Sequence, residues 1–93
     1  MKTFEQICEL TKKEYLELSK KINGKSLNNF LSIIERDNKF DIMNRQIDYI
    51  DINGDFGAYS INIKNGIVEL SEHIDVIDDE SNGYWCGLLL SEL

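Results

Sequence analysis

Large apolar residues recur near the start of the chain at three- and four-residue steps. Phe4, Ile7, Cys8, Thr11, Tyr15, Leu18 and Ile22 line one mostly apolar face of a predicted helix. Thr3 and Gln6 have the spacing of a capping box, in which each side chain satisfies a free backbone N–H at the helix start. Asn23-Gly24 ends the helix, since glycine tolerates the left-handed backbone that helix C-termini often need. Lys20, Lys21 and Lys25 gather at the same end and suit the negative pole of the helix dipole. Ser26 then caps a shorter helix with the stripe Leu27, Phe30, Leu31 and Ile34, stopped by Asp37-Asn38. A connection this short makes the two helices neighbours.

From about Phe40 the period changes. Tyr59, Ile61 and Ile63 alternate with Ser60, Asn62 and Lys64, the pattern of a half-buried strand. Asn65-Gly66 follows, and both residues accept the positive φ angles of a type I′ hairpin turn. A two-residue turn pairs Lys64 with Ile67, Ile63 with Val68, Asn62 with Glu69 and Ile61 with Leu70. Every large aliphatic residue except Ile67 then falls on one face. Gln46 to Ile52 reads as a strand before it, with a turn at Asn53-Gly54-Asp55-Phe56-Gly57. Ile74, Val76 and Ile77 either lengthen the second hairpin strand or begin another. Asp78 to Gly83 reads as an acidic loop, and Tyr84 to Leu90 as a strand, with a C-terminal helix as the alternative. The expected plan is one α+β domain over residues 1–93. Two N-terminal helices (residues 1–38) pack on one face of a three- to four-stranded antiparallel sheet (residues 40–93).

Composition sharpens this plan through charge. The 93 residues carry a net charge of -7. Before Gln46 there are seven carboxylates and nine Lys or Arg; from Gln46 onward there are ten carboxylates and one lysine. The halves therefore contribute about +2 and -9. Charge of one sign in the sheet-forming half sets up a directional field that favours a basic partner and repels nucleic acid and anionic lipid. No apolar run approaches the roughly 18 residues that span a bilayer, and the N-terminus has no apolar leader pattern. Cys8 and Cys86 match no metal or redox spacing and read as reduced core thiols of a cytoplasmic protein.

Candidate chemistry is sparse. Asp51-Ile52-Asn53-Gly54-Asp55 places oxygen ligands at alternate positions, as calcium loops do. Phe56 and Asn62, however, occupy the positions where such a loop needs glycine and a bidentate acid, so the segment reads as a turn. His73 is the only histidine, and no nucleophile signature surrounds Cys8, Cys86 or any serine. No catalytic, metal or cofactor residues are expected. Trp85 reads as a core residue. The candidate partner-binding residues are the acids Asp48, Asp51, Asp55, Glu69, Glu72, Asp75, Asp78, Asp79 and Glu80, with Tyr49 and Phe56 as aromatic anchors.

In size, acidity and helices-then-sheet plan the chain resembles two broad groups of small proteins. One is the phage-encoded inhibitors of host defence nucleases, including anti-CRISPR proteins. The other is the immunity proteins that neutralise nuclease toxins. The resemblance is one of type and carries no site residues over. It implies a non-catalytic acidic inhibitor that occludes a basic, nucleic-acid-handling surface of a partner in the cytoplasm. The alternatives are an assembly domain that forms a homodimer through an open sheet edge and, more remotely, an enzyme using His73.

Overall fold

The computed structural model describes residues 3–76. Helices α1 (Phe4–Ile22) and α2 (Leu27–Asp37) precede strands β1 (Asp41–Arg45), β2 (Tyr49–Asn53), β3 (Gly57–Lys64) and β4 (Ile67–Val76). The strands form one antiparallel sheet in the order β1-β2-β3-β4, and the helices pack against one of its faces. Tyr84 to Leu90 lies outside the described residues.

Local chemistry explains the helix boundaries. Thr3 and Gln6 form the expected reciprocal capping box. The Ser26 hydroxyl accepts from the Asn29 N–H at the start of α2, and Asn38 ends that helix at φ 58°. The stripe of α1 differs from expectation in two places: Phe4 is partly exposed and Glu14 is buried. Between the layers, Leu18, Ile22, Phe30 and Ile34 pack on Phe40, Ile50, Ile52, Tyr59, Ile61, Val68 and Leu70, which form one continuous core.

The hairpin register agrees with the sequence reading at every pair from Lys64↔Ile67 to Ile61↔Leu70, and Asn65 and Gly66 take φ 54° and 76°. Beyond Leu70 two bulges intervene. Ser60 pairs with Glu72, Tyr59 with His73 and Ala58 with Asp75, so Ser71 and Ile74 are supernumerary. Strict alternation from Leu70 would have turned Glu72 and Ile74 toward the core. The first bulge inverts that phase, leaving Glu72 exposed and burying His73 beside Tyr59, with ring centroids 6.1 Å apart. β4 thus continues as a single strand to Val76.

The expected strand Gln46–Ile52 is corrected. β2 begins at Tyr49, and Gln46, Ile47 and Asp48 form the turn that joins it to β1. The Gln46 N–H donates to the Tyr49 carbonyl at 2.8 Å and closes this turn. β1 escaped the sequence reading because a bulge at Met43 breaks its alternation. Ile42 pairs with Ile52 and Asn44 with Asp51, leaving Met43 between them.

Sheet edges expose unpaired backbone groups and invite unwanted pairing. The first half of the β4 edge, as far as Leu70, is covered by the connection between the helices. Gly24 N–H donates to the Val68 carbonyl at 3.0 Å, Val68 N–H to the Lys25 carbonyl at 2.9 Å, and Leu27 N–H to the Gly66 carbonyl at 2.8 Å. The Asn23 side-chain oxygen accepts the Leu70 N–H at 2.7 Å. The β1 edge is blunted by its bulge and by the charged ends Asp41 and Arg45. Replacing Asn23 with alanine removes the partner of a β4 amide. We expect a loss of about 1–2 kcal/mol in denaturant unfolding and faster hydrogen exchange at Leu70 than the global loss explains. Unchanged exchange there would show that the connection does not seal the edge.

Candidate functional site

Two groups of polar residues organise the molecule, one buried beneath α1 and the other on the sheet face away from the helices. On that face Glu69 and Glu72 are exposed, Asp51 is half-buried and Ser60 is buried. The first is centred on Glu14, whose side chain is buried within α1's inner face. It accepts hydrogen bonds from the Asp55 N–H at 2.9 Å, the Phe56 N–H at 3.1 Å and the Tyr59 hydroxyl at 2.8 Å. Lys39 Nζ stands 3.2 Å from the same carboxylate. Thr11, one turn earlier, donates to the Phe56 carbonyl, and its own carbonyl accepts the Tyr59 hydroxyl at 3.2 Å. A buried carboxylate is tolerated only when its lone pairs are satisfied, and these donors satisfy them. The Asn53–Gly57 segment is therefore a turn pinned to α1. Gly54 is required in it, because a Cβ there would collide with the Glu14 carboxylate and the Phe40 ring.

The second group occupies the sheet face opposite the helices. Residues paired across antiparallel strands share a face, so register alone sorts them. Ile50, Ile61 and Leu70 face the core, whereas Asp51, Ser60 and Glu72 form a row on the far side. Tyr49, Asn62 and Glu69 make the adjoining row, and Asp41 and Asn53 continue the face toward β1. Asp51 and Glu72 flank Ser60 on neighbouring strands, which sets their backbones about 10 Å apart. That separation is close to the Debye length of about 8 Å at physiological salt, so their fields overlap. Lys64 is the one lysine or arginine that register places on this face among the described residues.

The expected binding residues are thus divided. Tyr49, Asp51, Glu69 and Glu72 come together on the outer face, and Asp75 takes the register position opposite Ala58. Asp48 sits in the exposed β1–β2 turn. Asp55 and Phe56 lie at the opposite end of the sheet, with their backbone amides held by Glu14. Asp78, Asp79 and Glu80 lie outside the described residues. Tyr49 is half-buried, and its hydroxyl accepts from the Asn44 amide at 3.3 Å.

Three residues join the picture that the sequence reading passed over. Asp41 adds a carboxylate to the outer face, though it belongs to the basic half of the chain. Ile47, at 95% exposure, and Met43, at 54%, both belong to the β1–β2 hairpin. A branched aliphatic this exposed at a turn tip gains nothing from folding and offers an apolar contact. Its signal was hidden because Gln46–Asp48 read as strand. Glu14 had a signal too: Ile7, Thr11, Glu14, Leu18 and Ile22 follow the helical three-four spacing without interruption.

His73 is 5% exposed and lies on the core side of the sheet. Cys8 is a buried free thiol. No group of three or more His, Cys, Asp or Glu positioned to hold a metal occurs among the described residues. No described helix is long and apolar enough to cross a membrane. Comparisons with protein-family models, curated proteins and solved structures find no match.

Two outcomes test this geometry. Glu14→Ala strands a partly buried lysine, a tyrosine hydroxyl and two amides. It should cost about 3–5 kcal/mol in denaturant unfolding, and Glu14→Gln, which keeps an acceptor, should cost less. Equal losses would mean that the hydrogen bonds are immaterial. Tyr15 sits against Tyr59, with ring centroids 6.1 Å apart. Burial, then the nearby Glu69 charge, raises its pKa above the ordinary 10.0. A raised pKa means that the folded state holds this proton more tightly. The associated stability is present below pH 10.0 and is lost as pH climbs through the folded value. Phenolate absorbance should show Tyr15 titrating late, and Glu69→Gln should bring it earlier. A Tyr15 that titrates as in the unfolded chain would contradict this placement.

Proposed function

We propose that this protein is a small acidic binding domain whose outer sheet face occupies a basic surface of another protein. The single observation that supports this reading is the register. It gathers Asp41, Asp51, Glu69 and Glu72 on the face left uncovered by the helices. Carboxylates of this density accelerate encounter with a basic surface and fix orientation. Exposed ion pairs contribute only about 0–1 kcal/mol each, so residence time needs apolar anchors. Ile47 and Met43 are better suited to that role than Phe56, whose backbone is committed to the pinned turn.

The partner we propose is a nuclease or other nucleic-acid-handling protein in the cytoplasm, because its basic substrate groove is the kind of surface such a face complements. In that setting the domain acts as an inhibitor by occlusion, as a phage-encoded inhibitor of a host defence nuclease does. An immunity protein against a nuclease toxin uses the same physics, and genomic neighbourhood separates the two. Self-association through a sheet edge has less support, since β4 is covered as far as Leu70 and β1 is bulged and charged.

The test is kinetic. Against a basic nuclease that the domain captures, Asp51→Lys combined with Glu72→Lys should lower the association rate by about tenfold or more. Raised salt should slow the unmodified protein likewise, and Ile47→Ser should chiefly speed dissociation. Association indifferent to both charge reversal and salt would overturn the electrostatic mechanism.

A further inference from the structure

The described residues contain three Asn-Gly dipeptides, Asn23-Gly24, Asn53-Gly54 and Asn65-Gly66. This dipeptide is the one most prone to intramolecular imide formation, because glycine leaves the attacking backbone nitrogen unshielded. The three are alike in local sequence, yet the fold places them in three different states.

At Asn23-Gly24 every participating group is engaged. The Asn23 amide donates to Ser19 Oγ at 2.8 Å, and its oxygen accepts the Leu70 N–H at 2.7 Å. The Gly24 N–H, which would have to attack, is bonded to the Val68 carbonyl at 3.0 Å. At Asn53-Gly54 the asparagine is paired on both sides, to Asp41 and to Ala58. The Gly54 N–H donates to the Gly57 carbonyl at 2.7 Å, and the glycine is packed against Glu14 and Phe40. Asn65-Gly66 differs. Asn65 is exposed, its side chain makes no hydrogen bond among the described residues, and neither does the Gly66 N–H. Gly66 also has open space around it.

We propose that Asn65 is a site of backbone-assisted deamidation that the fold exposes while protecting Asn23 and Asn53. The Gly66 nitrogen loses its proton to base and attacks Asn65 Cγ. A C–N bond forms, the Cγ–NH2 bond breaks, and ammonia leaves to give a five-membered succinimide. Water then opens either carbonyl of the ring, yielding aspartate or isoaspartate. No other reactant is needed. The isoaspartate product carries the main chain through the former side chain and adds one methylene to it. A two-residue turn lengthened in this way cannot hold Lys64 opposite Ile67, nor keep the Gly66 carbonyl on the Leu27 N–H. Either product adds a negative charge at the hairpin end of the sheet.

The experiment incubates the folded full-length chain in mildly alkaline buffer and maps peptides by mass, with an isoaspartate assay on each. Asn65 should convert roughly tenfold or more faster than Asn23 and Asn53, because those two must first break several hydrogen bonds. In denaturant the three rates should converge. Asn23 or Asn53 keeping pace with Asn65 in the folded chain overturns the proposal, and so does the same ranking persisting in denaturant. An Asn65 that stays intact when folded but reacts when unfolded also overturns it. Asn65→Asp supplies only the ordinary acid, which suits the same turn. Aged protein should therefore be less stable than this variant, and equal stability would exclude the isoaspartate product.

Discussion

The Glu14 carboxylate is the constraint from which the rest of the arrangement follows. It lies 2% exposed inside the molecule, where an ionised group is costly unless every lone pair is engaged. Its partners come from three places: the β2–β3 turn, the hydroxyl of Tyr59 in β3, and Lys39 immediately before β1. One side chain of α1 thereby fixes where β2 ends, where β3 begins and where the chain enters the sheet. The acidic turn that superficially suggests a calcium loop is thus held by a carboxylate from outside it, and its own backbone amides are the ligands. Asp55 and Phe56 serve the structure through their backbone amides.

How much of this was legible depended on whether a residue obeyed its element's period. The hairpin was readable because Asn65-Gly66 specifies both turn and register, and the alternation of Tyr59, Ile61 and Ile63 confirms the phase. The capping box of α1 and the Ser26 cap of α2 were readable because they are local chemistry. What failed was interrupted periodicity. The bulges at Met43, Ser71 and Ile74 each shift the phase by one residue, which hides β1 and obscures where β4 ends. Nothing local announces a bulge, since it is settled by what the neighbouring strand and layer accept. Glu14 was overlooked for the opposite reason: it fits the helical stripe, but its charge argues for solvent until four donors from distant residues are supplied.

The same phase shifts decide the character of the outer face. Had β4 alternated strictly, Glu72 would have turned inward and the row through Asp51 and Ser60 would have lost one of its two acids. The bulge at Ser71 returns Glu72 to solvent, and the bulge at Met43 lets Asp41 and Asn44 share that side despite their odd spacing. The concentration of carboxylates is therefore a product of sheet irregularity as much as of composition. The bulge at Met43 also roughens the β1 edge, which favours use of the face over use of the edge.

The connection between the helices has a consequence for how the molecule comes apart. Residues 23–27 close α1, open α2 and lie alongside β4 as a short additional rung. The helical layer cannot lift away from the sheet without stripping that rung, and residues 67–70 of β4 cannot fray from their outer side without freeing both helix ends. Layers welded at such a seam lose their structure together, so unfolding is expected to be all-or-none rather than to pass through a surviving helical pair.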